Sequence, residues 1–364
     1  MTGLAPIRTS LEQCYDAIEA LAARMDATQW HAQSLCPDWD MRGVITHLGM
    51  MERVLTGWLP ESADDVPPLD RVAPYHEEMA ALDDAAFAVR IGEIFASRRG
   101  DTVTELAIIR TSLEQCYDAI ESLAGRMDAA RWHAQSLCPD WDMRGVITHL
   151  GMMERVMTGW LPESADDVPP LDRIGPYHDE MAALDDAAFA ARVGEIFASR
   201  RADLAGLAEA DLARQSWTPI GPRSYGGFLE MRIFDFWVHE RDIAAPLGWL
   251  SDDTGPSAEI ALAQVEGSLG YIVGKKIGLP DGASIVFHLT GPVKRDLAVV
   301  VEGRARAVAH VEHPDVELTM DAVTFIQLAA GRIDPQRQID AGLLTWSGNA
   351  ELGDRAARNL RFTI

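Results

Sequence analysis

Lysine is nearly missing from this chain, occurring only at Lys275, Lys276 and Lys294, and arginine does not make up the deficit: the net charge is -24. So acidic a surface repels phosphate backbones and anionic lipid, which argues against nucleic-acid and membrane partners. Cysteine is also scarce. Cys14, Cys36, Cys116 and Cys138 include no C-x-x-C pair, so a disulfide framework is not expected and all four read as buried or semi-buried free thiols. No apolar run approaches the roughly 20 residues that span a bilayer. The start, MTGLAPIRTSLEQ, lacks the basic and apolar stretches of a secretion signal, so a cytoplasmic location is expected. A phosphate-cradling glycine loop, a nucleophile elbow and H-E-x-x-H are absent too, which removes the commonest nucleotide, serine-hydrolase and zinc-protease readings. What remains is an ordinary globular composition, 48% apolar and 24% charged, at a length of 364 residues that calls for more than one domain.

The chain repeats itself. Residues from Ile7 to about Asp101 recur from Ile109 to about Asp203 at constant offset, with about a dozen mild changes such as Ala20 to Ser122 and Leu55 to Met157. Two copies of this length are not a solenoid array. In the second copy, Ile109, Leu113, Cys116, Tyr117, Ile120, Leu123 and Met127 fall at helical spacing. Asp142 is placed to cap a second helix carrying Val146, His149, Leu150, Met153 and Met157 on one stripe. The proline-rich Pro162 to Pro176 reads as loop, and a third helix from about Asp185 buries Phe189, Val193, Ile196, Phe197 and Leu204. Three such helices leave a groove that a fourth must fill. A fourth appears only once, from about Phe228 to Ala245, because Arg99 to Ile108 is only long enough for a linker or helix extension. The first copy is therefore an incomplete bundle, whose open stripes favour a homodimer.

Chemistry concentrates on that fourth helix. Arg232, Asp235, His239 and Asp242 recur at three- and four-residue intervals, so they share one polar face. His149 lies on the inward stripe of the second helix. Two histidines and a carboxylate converging in a helical core suit a divalent ion with an open position. Trp39 and Trp141 are expected to anchor their loops in the core, and His76 and His178 to sit exposed in loops.

Two segments carry a family resemblance. Ser136 to Leu150, SLCPDWDMRGVITHL, resembles the P-x-W-x7-H-L opening of the second helix in mycothiol-dependent maleylpyruvate isomerase-like proteins, within the DinB-like metal-binding superfamily. Met231 to Ile243, MRIFDFWVHERDI, is similar to the fourth helix of the same family. The resemblance implies His149, Asp235 and His239 as ligands of a divalent metal, Zn²⁺ foremost, with His47 of the first copy as the alternative to His149. Arg232 and Asp242 would then support the ligands, and Arg332 in Ala-Ala-Gly-Arg is the nearest match to an arginine that meets the substrate carboxylate. The isomerase of the family carries glutamate where this chain has Asp235. Mycothiol as co-substrate and a small electrophile as substrate are further implications. The function implied is thiol-dependent isomerisation or S-transfer; the alternative is a non-catalytic protein binding a metal or an apolar ligand.

Past the bundle, residues from about Pro256 onward resemble the family's C-terminal domain, which is similar to sterol carrier protein. Pro256 to Ile277 reads as helix, Ser284 to Thr290, Leu297 to Val301 and Ala305 to Val311 as strands, and Asp321 to Ala330 as a further helix. A last helix follows Gly348-Asn349. The expected architecture is α+β: a three-helix segment over 1–108, a metal-binding four-helix bundle over 109–250, and a small sheet domain over 251–364.

Overall fold

The computed structural model describes residues 14–55, 66–100 and 104–363, the side chains of 96–100 excepted. The N-terminal stretch 1–13 and residues 101–103 of the expected linker lie outside the described residues. The chain divides into two compact units with the boundary between Thr104 and Glu105. Each is described by itself.

The larger unit opens with a four-helix bundle: α1 (Glu105–Gly125), α2 (Met143–Met157), α3 (Asp186–Ala205) and α4 (Tyr225–Ala244). Their starts follow from capping chemistry. Asp142 accepts from the Gly145 amide at 2.7 Å, Asp185 from Ala188 at 2.8 Å and Ser224 from Gly227 at 3.1 Å. The predicted stripes all turn inward: Ile109, Leu113, Tyr117 and Ile120 meet Val146, Leu150, Phe189, Val193, Phe197, Ile233 and Phe236 in one core. At its centre Tyr117 stacks on Phe197 at 4.7 Å, and Phe236 meets both rings edge-on.

Two short helices, Ala129–Trp132 and Ile174–Ala183, add to the expected set. The second shortens the loop read over Pro162 to Pro176: 162–170 is loop as expected, and the chain turns helical from Leu171. Pro176 is only the third residue of Ile174–Ala183, where its missing amide hydrogen costs nothing because first-turn amides have no intrahelical partner. This helix brings Tyr177 against α2, its hydroxyl donating to the Thr148 carbonyl at 2.9 Å. The approach is close enough that a Cβ on Gly151 would sit 2.6 Å from the Tyr177 oxygen.

The rest of the unit is the α+β half. Gly255–Glu266 packs on α4, and its apolar face joins Trp237 and Val238 to a second core. Five strands form one sheet, β1 (Ser284–Thr290), β2 (Arg295–Glu302), β3 (Arg304–Val308), β4 (Val316–Asp321) and β5 (Leu344–Gly348), in the order β3-β2-β1-β4-β5. Only β1 and β4 run parallel. β4 and β5 go beyond the three strands read from sequence, and β3 ends at Val308 rather than Val311. Ala322–Ala329 and Ala350–Arg358 are helices capped by Asp321 and Asn349. Among the described residues, no helix is long and apolar enough to cross a membrane.

Among its described residues, the smaller unit repeats the local structure of the second copy without a counterpart of α4. Residues 14–22 are helical, followed by Ala27–Trp30, Met41–Leu55, Val72–Ala80 and Asp84–Gly100. Its own core holds Tyr15, Trp30, Ile45, Tyr75, Phe87, Ile91 and Phe95. Positions that α1, α2 and the adjoining loop bury in the larger unit are open here. Leu48 is 38% exposed where Leu150 is 0%, and Cys14 and Cys36 are exposed where Cys116 and Cys138 are buried. The expectation of four buried or semi-buried thiols therefore holds only for the second pair. Burial pushes the Cys116 thiol up to about 12. Thiolate, the form that reacts, is therefore far scarcer at Cys116 than at an exposed cysteine. Iodoacetamide is accordingly expected to alkylate Cys14 and Cys36 in the native chain and to spare Cys116 until denaturant is added. Peptide mapping that finds Cys116 modified at the rate of Cys36 would contradict this.

Candidate metal centre

α2 and α4 cross so that His149 and the Asp235–His239 pair meet. The His149 Nε2 lies 3.2 Å from Asp235 Oδ2, and the His239 Nε2 lies 3.4 Å from Asp235 Oδ1. One carboxylate thus sits between two ring nitrogens. The ring centroids of His149 and His239 are 5.0 Å apart. His239 is 3% exposed, whereas the His149 and Asp235 side chains keep about a quarter of their surface open. The triad is therefore rooted in the core and accessible at one edge.

Neighbouring side chains fix each member. Arg232, one turn before Asp235, binds its Oδ2, and also donates from Nε to Glu154 Oε1 at 3.0 Å. Glu154 in turn accepts from Arg200 at 3.0 Å and from the Tyr117 hydroxyl at 2.7 Å. This buried cluster stands directly behind the triad, and the sequence offers no local sign of it. On the other side, Asp242 accepts from His239 Nδ1 at 2.8 Å. The loop before α2 carries Cys138, whose thiol donates to Asp242 at 3.1 Å, and the Leu137 amide donates to the Asp242 carbonyl at 3.0 Å.

Electrostatics follow from this arrangement. Burial would raise the Asp235 carboxyl, but the Arg232 guanidinium and then His239 override it and hold the group well below the usual carboxylate range. Burial would likewise favour neutral His239. The Asp235 charge, reinforced by hydrogen bonds to Asp235, Asp242 and Cys138, instead raises its ring well above the usual histidine value. A cation bound between the rings would take the place of that proton.

Several expectations need revision here. Trp141 does not anchor its loop in the core: it is 37% exposed and stacks on His149 with centroids 4.8 Å apart. The loop is held instead by Gln135, whose amide donates to the carbonyls of Cys138 at 2.7 Å and Trp141 at 2.8 Å. Trp39 behaves in the same way, 40% exposed and 4.8 Å from His47. His178 is exposed as expected but lies on a helix. With Trp141, Gly145, Thr148, His149 and Met152 it lines a cleft of about 360 Å³. Arg332 is not free to face a ligand with its whole guanidinium, because its Nε donates to Asp242 at 2.9 Å and its Nη1 to the Ala330 carbonyl at 3.1 Å. It thereby ties the sheet half to the carboxylate behind His239. Removing such a supporting contact typically costs a metal site about 10–100-fold in affinity. If the triad binds a divalent ion, Arg332→Ala is expected to weaken that binding within this range, and zinc competition against a chromophoric chelator measures it.

The sequence model of the mycothiol maleylpyruvate isomerase N-terminal domain matches residues 11–102 and again 113–244, and that of the C-terminal domain of the same enzyme matches 259–353. The chain belongs to the mycothiol-dependent maleylpyruvate isomerase family. Only the second match to the isomerase N-terminal domain extends over α4 and so includes Asp235 and His239. Among solved structures, the chain is similar to the mycothiol-dependent maleylpyruvate isomerase and to a histidine-to-alanine variant of it. Each is 16% identical, over 66% of this chain and 92% of that one, with a TM-score of 0.47. Sterol Carrier Protein 2 from Yarrowia lipolytica, in its apo form, is 20% identical over 28% of this chain and 94% of its own, with a TM-score of 0.21. No curated protein matches.

Proposed function

We propose that this member of the family is a metal- and mycothiol-dependent isomerase or S-transferase acting on a small electrophile. The observation that carries the reading is the triangle of His149, Asp235 and His239 at the edge of an open cleft. Its donor set fits a zinc-like ion. Two ring nitrogens and one carboxylate oxygen, ligands that zinc takes, lie within 4.8 Å of one another. Three protein ligands would leave the fourth position to a thiol. A divalent ion there would lower the thiol's pKa and hold it as the thiolate nucleophile.

The chain's own residues supply the rest. Asp242 fixes the orientation of the His239 ring, and Arg232 neutralises and orients Asp235. Trp141 covers one face of His149 and, with Met152, gives the cleft an apolar wall against which a flat unsaturated substrate can lie. In the isomerase reading, the thiolate sulfur adds to one carbon of an activated double bond, and the displaced electron pair passes to the conjugated carbonyl. Rotation about the new single bond and expulsion of the same thiolate restore the alkene with its geometry changed. In the transferase reading, a leaving group departs with the electron pair and the sulfur stays on carbon.

The test is turnover of a cis-configured unsaturated dicarboxylate such as maleylpyruvate by the purified chain. Turnover should require mycothiol, disappear on chelation and return with Zn²⁺. Equal rates with and without the thiol would overturn the reading.

A further inference from the structure

The two nitrogens of the His239 ring serve different partners. Nε2 faces Asp235, whereas Nδ1 lies 2.8 Å from Asp242 Oδ2 and 3.7 Å from the Cys138 sulfur. Cys138 and Asp242 are themselves 3.1 Å apart. Because the nitrogens of one imidazole point away from each other, a single ion cannot engage both groups. Cys138, His239 and Asp242 are 6%, 3% and 0% exposed, so the second group is deeper than the first.

Asp242 also has an unexplained atom. Three donors, from His239, Cys138 and Arg332, converge on Oδ2, while Oδ1 is buried with no hydrogen-bond partner. A buried carboxylate oxygen left bare is costly, and such an atom calls for a water, an ion or a functional reason. We propose that Cys138, His239 and Asp242 form a second, inner binding site for a thiophilic divalent cation, with His239 bridging it to the outer triad.

The donors suit that class of ion. A soft thiolate sulfur and a borderline imidazole nitrogen are ligands that zinc and cadmium take and that magnesium and calcium, which bind through oxygen, do not; the carboxylate oxygen is a ligand that zinc also accepts. In a tetrahedral zinc site such ligands stand roughly 3.3–3.7 Å apart. The sulfur-to-nitrogen separation is already 3.7 Å, and the shorter contacts to Oδ2 are hydrogen bonds that give way when the cation replaces two protons, that of the Cys138 thiol and that of His239 Nδ1, so that with both sites filled the ring bridges as an imidazolate and two protons go to solvent. Oδ1 is free to become the ligand while Oδ2 keeps Arg332. The guanidinium then offsets the extra negative charge of the thiolate. The outer triad offers nitrogen and oxygen only, so sulfur ligation is a signature of the inner site alone. The inner site does not depend on the catalytic reading, because it uses neither the cleft nor the thiol co-substrate.

The test uses the full chain, stripped of metal by chelation and carrying Cys14→Ser and Cys36→Ser to remove the exposed thiols. Cadmium ion alone is titrated in, with bound metal counted and the ultraviolet cadmium–thiolate charge-transfer band recorded. Two cadmium ions per chain are expected, one of them giving the band. Cys138→Ser, which keeps a hydroxyl to donate to Asp242, should lose the band and one ion. Asp242→Asn, which keeps the thiol, should weaken the band-forming ion at least about tenfold. His149→Ala should keep the band and lose the other ion. Cadmium bound without a thiolate band, a band that survives Cys138→Ser, or a band that vanishes in His149→Ala would overturn the proposal. Circular dichroism on each variant separates loss of a ligand from loss of the fold.

Discussion

His149→Ala is expected to lower mycothiol-dependent turnover at least about 10²-fold, while His47→Ala, in an almost identical sequence context, leaves it unchanged. The contrast follows from what stands opposite each ring. His149 meets Asp235 at 3.2 Å and shares that carboxylate with His239. His47 belongs to the unit that has no counterpart of α4, and its described ring partner is Trp39. On the proposed function, His149→Ala would leave an ion held by Asp235 and His239 alone, and less zinc is expected to survive purification. The thiol then returns to its ordinary pKa near 8.5, where only a few per cent is ionised at neutral pH. Paired measurements of zinc content and initial rate on the two variants decide the matter. Equal losses in both, or full activity in His149→Ala, would reject the ligand assignment.

The largest expected effect on stability is at Glu154. Its carboxylate is 1% exposed and accepts from Arg200, Arg232 and Tyr117. Glu154→Gln would leave two buried guanidinium groups facing a neutral amide, and breaking a buried ion cluster from one side typically costs about 3–5 kcal/mol. For a unit of this size that corresponds to a fall in Tm on the order of 10 °C. The cluster also has a pH signature. Burial alone would raise the Glu154 carboxyl, yet the charges of Arg232 and Arg200 and the Tyr117 hydroxyl hold it below its usual value. A group whose folded pKa is depressed binds its proton more tightly when unfolded. Its stabilisation is therefore complete above the unfolded value of about 4.3 and is lost as pH falls through the lower folded value. Thermal melts of the wild type and Glu154→Gln should converge as pH drops below about 4.3. A constant difference between pH 7 and pH 3 would contradict this.

The bundle was legible because its apolar stripes follow the helical period and its starts carry aspartate or serine caps. Two elements were not. The helix Ile174–Ala183 hides behind prolines that signal loop by composition, although the one inside it occupies a first-turn position that tolerates proline. β4 and β5 are short, and what defines them is pairing with each other and with β1 across many intervening residues. At the site, the spacing of Asp235 and His239 and the inward stripe bearing His149 pointed to the right neighbours. Trp141 was misread because a large apolar ring defaults to the core, while here it lies over an imidazole at the surface. Glu154 gave no signal because its partners Arg200 and Arg232 are 46 and 78 residues away. Cys138 was visible as a residue, but its contact with Asp242 spans 104 positions.

The loop that Gln135 ties down recurs in the smaller unit, where Gln33 donates to the Cys36 and Trp39 carbonyls at 2.9 and 3.0 Å. It sets Trp39 on His47 at the same 4.8 Å that separates Trp141 from His149. Presentation of the histidine is therefore a portable property of one contiguous loop-and-helix stretch and needs no counterpart of α4. The acidic residue and the other histidine travel together on a different single helix. The three side chains of the triad thus come from two contiguous segments, and the one that carries the histidine–tryptophan pair has been copied without the other.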